Sequence, residues 1–314
     1  MAFLQTLALL STLVSFAAAL PPLPRALESR QTQSIKTVAS SQISTFKPYT
    51  FYASAAYCQP NTTLSWSCGA NCDANSGFQP SVSGGDGTDT QFWYVGYDPS
   101  LNTVVAAHQG TDPSSILSLI NDIDIIQTSL NSSLFPADQF PDTIQVHQGF
   151  ADDHARTAIP IYAAVVDAIV ANLDKQPSVT LVGHSLGAAL ALLDAVMFVS
   201  HLPDWVQIKY VGYGLPRVGN QEFADYVDAH LTTSDNGLVR ITNKKDPIPI
   251  NPGKFLGFVH PSGELHIEET NAWDSCPGQD NPSTLCIVGA VSNDFEGDLD
   301  NHDGPYDGVT MGCD

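Results

Sequence analysis

The chain has 314 residues, 43% hydrophobic and 14% charged, enough apolar material for one large α/β domain or two small ones. Asp and Glu number 33 against 12 Lys and Arg, a net charge of −21. That excess argues against nucleic acid and anionic membrane surfaces as partners, so any lipid contact has to be apolar.

Leu4 to Ala19 is a short apolar stretch ending in Ala17-Ala18-Ala19. Residues 1–19 read as a secretory signal peptide, although no Lys or Arg precedes the apolar core. The stretch is too short for a transmembrane span. Residues 20–30 are Pro-rich, carry Arg25 and Arg30, and read as a propeptide. Nothing after them marks a domain boundary, so 31–314 is expected to be a single domain. The six cysteines suit an exported, disulfide-bonded chain. Local closure favours Cys68–Cys72 and Cys276–Cys286 and leaves Cys58 for Cys313. A metal site at Cys68 and Cys72 lacks a second ligand pair at suitable spacing. Asn61-Thr62-Thr63 and Asn131-Ser132-Ser133 are glycosylation sequons, consistent with export.

Residues 35–57 predict an opening helix or extended arm, and 60–90, rich in Gly, Ser, Asn and Asp, predict loop. Strands are predicted over 92–97 and 103–108, with a turn at Asp98-Pro99-Ser100. Ile116, Leu119, Ile120, Ile123 and Ile126 share one helical face, with Asn121, Asp122 and Gln127 off it. An extended stretch at 145–147 precedes a long helix over 151–173. Then come a strand at 179–182, a helix at 186–200, a strand at 207–212, a helix at 221–230 and a strand at 238–242. Strands alternating with helices imply an α/β fold, a mostly parallel sheet with helices on both faces.

The sharpest local pattern is Val179-Thr180-Leu181-Val182-Gly183-His184-Ser185-Leu186-Gly187-Ala188-Ala189-Leu190-Ala191. A β-branched run turns into an Ala/Leu run through G-x-S-x-G. Gly183 and Gly187 relieve crowding beside Ser185, which the turn holds at its tip. The Leu186 N–H opens the helix, where donors are unpaired and the potential is positive. Serine needs a base to become a nucleophile. Asp246 is the first carboxylate after the strand at 238–242, and an acid is expected there. Among the histidines that follow Ser185, spacing leaves His260, His266 and His302 open.

These motifs give the chain a resemblance to the fungal class 3 lipases, the filamentous-fungal triacylglycerol lipase type that includes feruloyl esterases. The resemblance spans about residues 56–313. It is carried by Gln109-Gly110-Thr111, Val146-His147-Gln148-Gly149-Phe150, Gly183-His184-Ser185-Leu186-Gly187, Pro216-Arg217-Val218-Gly219-Asn220, Asp246-Pro247-Ile248-Pro249 and Asn301-His302. It implies an α/β-hydrolase fold with a short helical lid. It also implies Ser185 as nucleophile, Asp246 as acid, His302 as base and His260 as a structural residue nearby. The same cysteine pairing is implied, with Cys58–Cys313 holding the His302 loop down. Two positions depart from the family pattern. The tyrosine after the histidine, Tyr306, comes one place later, and Gln109 stands where arginine is frequent.

The oxyanion that forms on the ester needs two donors. Leu186 N–H is one, and Thr111, after the strand at 103–108, is the candidate for the other. The family carries a mobile lid after this loop, which makes Ile116, Leu119, Ile120 and Ile123 its apolar face. Exposing ~200–300 Å² of such surface costs on the order of 5–7 kcal/mol, which a lipid interface offsets and a dissolved polar ester does not. The expected function is therefore a secreted triacylglycerol lipase working through an acyl-enzyme. A feruloyl esterase or general carboxylesterase on the same fold is the alternative. A complete Ser/Asp/His set argues against an inactive lipid-binding module. Asp294, Glu296, Asp298, Asp300 and Asp303 read as a solvated acidic loop rather than a calcium site, and no metal or cofactor is expected.

Overall fold

In a computed structural model of the chain, residues 34–111, 115, 126–231 and 237–313 are described. The expected signal peptide and propeptide, and Ile116, Leu119, Ile120 and Ile123, lie outside them.

Eleven strands appear among the described residues: β1 (Lys36–Thr37), β2 (Gln79–Gly84), β3 (Trp93–Asp98), β4 (Thr103–His108), β5 (Gln127–Ser129), β6 (Gln145–His147), β7 (Ser178–His184), β8 (Ile208–Tyr213), β9 (Leu238–Asn243), β10 (Glu264–Ile267) and β11 (Trp273–Cys276). Nine form one sheet in the order β1-β11-β10-β9-β8-β7-β4-β3-β2, and β5 pairs with β6 apart from it. The centre, β4-β7-β8-β9-β10, is parallel, and the outer pairs are antiparallel.

Side-chain alternation explains why both faces are covered. Val104 and Ala106 enter one core, whereas Val105 and Ala107 enter the other, as period-two side chains on a doubly buried strand must. The first core packs against α2 (Gln148–Ala171) and α3 (Leu186–His201), the second against α1 (Lys47–Ala55). A fourth helix, α4 (Gln221–His230), is capped by the Asn220 side chain, which accepts from Phe223 N–H. Helix α2 has the length and apolarity of a membrane span, yet it buries Ile161, Val165 and Ile169 against this sheet.

Residues 60–90, expected as loop, contain short helices at Pro60–Leu64 and Ala70–Asp73 and the edge strand β2. Composition hid the strand because an edge pairs on one side only and tolerates Pro80 and Gly84, and its register shifts between Pro80 and Val82. Three disulfides join Cys58–Cys313, Cys68–Cys72 and Cys276–Cys286. The first closes a span of 255 residues and fastens the end of the chain beside α1.

Candidate active site

The β7–α3 turn sits at the carboxyl edge of the parallel strands, where ligands of open α/β sheets bind. Ser185 adopts φ 59° and ψ −128°, a left-handed conformation costly for a serine and held by its surroundings. Its N–H donates to Tyr213 O at 2.9 Å. The two glycines are sterically required. A Cβ on Gly183 would lie 2.2 Å from Gly187 O, and one on Gly187 would lie 2.3 Å from His108 O. The Ser185 hydroxyl is buried without a hydrogen-bond partner.

Asp246 follows β9 and is fully buried. Its Oδ1 accepts from Ile248 N–H at 2.9 Å, and its Oδ2 accepts from His302 Nδ1–H at 2.8 Å. That bond fixes the tautomer. With the proton on Nδ1, His302 presents a lone pair on Nε2, and Nε2 is buried and unpartnered. The ring lies beside the serine turn: a Cβ on Gly214 would be 2.8 Å from His302 Cε1, and Gly214 follows the Tyr213 carbonyl that anchors Ser185. Of the three histidines left open by spacing, His302 therefore meets the acid. His260 Nε2–H donates to Pro249 O at 2.7 Å, and His266 Nδ1 pairs with Thr242 Oγ1 at 2.9 Å.

The sequence reading missed two residues that hold this histidine. His184 Nε2–H donates to the His302 carbonyl at 2.8 Å, its ring 4.4 Å from that of His302 and tilted against it by 38°. Burial, and then the nearby His302, push His184 well below the usual imidazole range, so it is neutral and its Nδ1 accepts from Tyr57 Oη–H at 2.6 Å. Neither role leaves a sequence signal, because His184 lies on the strand end and Tyr57 is 127 positions away. Tyr306, one place later than in the family pattern, still reaches the site: its hydroxyl donates to the same His302 carbonyl at 2.8 Å. Asn243 Nδ2–H donates to Asn301 O at 2.8 Å and ties the end of β9 to the His302 loop.

Opposite the histidine, Gly110 packs against the serine. A Cβ there would stand 3.0 Å from Ser185 Cβ and 2.2 Å from Tyr57 Oη. Thr111 follows, its hydroxyl buried and unpartnered. Gln109 is occupied: its Oε1 accepts from Phe92 N–H, and its own N–H donates to Phe92 O, both at 2.8 Å. Leu186 is the first residue of α3, where the N–H has no acceptor within the helix.

His147 precedes α2 with both ring nitrogens buried and unpartnered, between the rings of Phe150 and Phe258. Burial pushes it down to about 4, which keeps it neutral. Among the described residues, no group of three or more His, Cys, Asp or Glu side chains is arranged to hold a metal ion. In the acidic loop, Asp294 accepts from Asn251 Nδ2–H at 2.6 Å and Asp298 caps its own turn.

A serine on a strained strand-to-helix turn, followed in the chain by an acid and a histidine, defines an α/β-hydrolase. Residues 105–256 match the family described as Lipase (class 3). Secreted mono- and diacylglycerol lipase LIP2 of Malassezia restricta is 30% identical over 224 residues, covering 71% of this chain and 67% of that one. Secreted mono- and diacylglycerol lipase MDL2 of Malassezia globosa is 31% identical over 237 residues, covering 73% and 71%. The fold is similar to that of the Lip2 lipase of Yarrowia lipolytica, with TM-score 0.76, 24% identity and coverage of 90% and 98%. For the triacylglyceride lipase of Rhizomucor miehei the TM-score is 0.72, with 24% identity and coverage of 88% and 98%. The chain belongs to the class 3 lipase family and is a carboxylic ester hydrolase.

Proposed function

We propose that Ser185 is the nucleophile, His302 its general base and Asp246 the carboxylate that orients and stabilises the imidazolium. The observation that carries this is the pair of buried, unpartnered atoms Ser185 Oγ and His302 Nε2 beside a His302–Asp246 bond of 2.8 Å. Serine Oγ adds to the ester carbonyl and its proton passes to His302 Nε2. The tetrahedral oxyanion is bound by Leu186 N–H and by Thr111. His302 then gives its proton to the departing alcohol, leaving an acyl-enzyme. Water, deprotonated by His302, releases the fatty acid and restores the serine.

Acylglycerols are the proposed substrates. The relatives in Malassezia are named mono- and diacylglycerol lipases, and the enzyme from Rhizomucor is named a triacylglyceride lipase. The proposed enzyme acts outside the cell at an oil–water interface, with Asn61 and Asn131, both exposed, as glycosylation sites. Ser185 and His302 are fully buried, so an ester reaches them only after a covering segment moves. The apolar stripe at Ile116, Leu119, Ile120 and Ile123 is the proposed cover. Phe255 and Phe295, 89% and 100% exposed on neighbouring loops, offer an apolar contact with lipid that needs no positive charge.

A panel of mono-, di- and tributyrin and methyl ferulate, each followed below and above its solubility limit, tests the reading. The proposal expects glyceride hydrolysis to rise sharply once droplets form and methyl ferulate to be the poorer substrate. Preference for methyl ferulate with no rise at the interface contradicts it.

A further inference from the structure

The first core contains a polar cluster that the reaction above does not use. Asp194 lies on α3, the helix that starts at Ser185. Its Oδ2 accepts from His108 Nε2–H at 2.7 Å and its Oδ1 from His154 Nε2–H at 2.9 Å. The three side chains are no more than 1% exposed. Burial raises the Asp194 carboxyl, but the two imidazole donors outweigh it and hold it below the usual carboxylate range. His108 Nδ1 is buried without a partner.

A buried ionic cluster is a poor way to stabilise a core that apolar side chains fill at least as well. Its place in the fold gives a better reason. His108 is the last residue of β4, and Gln109-Gly110-Thr111 follows directly. The His108 and Gln109 carbonyls press on Gly187, where a Cβ would meet them at 2.3 and 2.6 Å, and Gly110 presses on Ser185. One carboxylate therefore joins the strand that feeds the Thr111 loop, the helix that carries the Leu186 donor, and α2.

We propose that His108, held by Asp194, is a positioning residue that sets the distance between the two oxyanion donors. The inference rests on the role proposed above for Ser185, Leu186 and Thr111. Without the bond to Asp194, the end of β4 is free to shift against α3. The donors then miss the oxyanion while the ground-state ester binds as before.

The test is steady-state hydrolysis of soluble p-nitrophenyl butyrate by the wild type, Ser185→Ala, His108→Ala, His108→Gln and Asp194→Asn, each well below its own Tm. His108→Ala is expected to lower kcat about 10- to 100-fold with KM within about twofold, the cost of a misplacement near 1 Å. Asp194→Asn shares that loss, and His108→Gln, which keeps a donor for Asp194, recovers most of it. A folded His108→Ala with kcat within twofold of wild type overturns the inference, as does a loss in His108→Gln equal to that in alanine. If His108→Ala does not fold, Asp194→Asn with unchanged kcat overturns it in the same way. Full activity in Ser185→Ala would sink the underlying reading. An inactive Ser185→Ala beside an unimpaired His108→Ala sinks this inference alone.

Discussion

His302 is the residue whose role is most exposed to test. It is held by three hydrogen bonds: its ring donates Nδ1–H to Asp246, and its backbone carbonyl accepts from both His184 and Tyr306. His302→Ala is expected to lower kcat about 10⁴-fold, the scale for loss of a triad member, whereas His260→Ala is expected to affect stability and leave the chemical step within tenfold. Steady-state kinetics on a soluble ester checks both. Spacing alone does not separate these histidines, since sequence distance from Asp246 favours His260 and His266, which do not bond it. The choice needed a tertiary contact across 56 positions. His147 carries a second residue-level prediction. Its folded value of about 4 lies below its ordinary 6.5, so between those values the unfolded chain takes up a proton that the folded one refuses. Stability therefore falls as pH drops through that window, by about 1.4 kcal/mol per unit for this one group. His147→Phe is expected to remove that slope in urea unfolding measured from pH 6.5 to 4. An unchanged slope would mean that His147 does not titrate as a buried neutral ring.

Among the elements, the β7–α3 turn was the most legible in the sequence. A β-branched run, two glycines and a helix-forming run fix its course, because no other residue fits at the glycines. Gly187→Ala would place a methyl group 2.3 Å from His108 O, a backbone atom with little freedom to move. The expected cost is about 3 kcal/mol or more, with activity lost through displacement of Ser185. Thermal unfolding and kinetics of this variant check both. The parallel strands β4, β7, β8 and β9 were legible for a similar reason, since doubly buried strands read as near-continuous apolar runs, whereas β10, four residues that include Glu264 and His266, was not. The edge strand β2 was not. One free side admits Pro80 and Gly84, and the apolar signal is missing where half the strand faces water. Tyr57 and His184 were equally silent. Their pairing is decided by the way α1 crosses the sheet, which no local pattern records.

At the scale of the whole molecule, residues 312–313 are fastened to residues 54–71. Cys58–Cys313 closes a span of 255 residues, and Ser54 and Asn71 donate to Gly312 O. The segment so fastened carries His302. Replacing both cysteines by alanine is expected to lower stability by about 2–5 kcal/mol. Activity should also fall below what the stability loss alone accounts for, because His302, the proposed base, loses part of its support. Measurements at matched temperatures below each Tm distinguish the two effects. The surface makes a separate prediction. On the interfacial reading proposed above, a net charge of −21 leaves attachment to apolar contacts, with Phe255 and Phe295 as the proposed residues. Replacing both by aspartate is expected to slow hydrolysis of emulsified triglyceride about tenfold or more, and that of soluble butyrate much less. Equal losses would place these residues outside the lipid contact.

The central claim is that one serine, at the end of β7, carries the acyl group. Reaction with a p-nitrophenyl alkylphosphonate, read by released p-nitrophenol and by peptide mass mapping, tests it most directly. The account predicts one equivalent of p-nitrophenol per chain, a single adduct on Ser185, complete loss of esterase activity on labelling, and no release from Ser185→Ala. An adduct on another residue, or undiminished ester hydrolysis by the labelled enzyme, would contradict it.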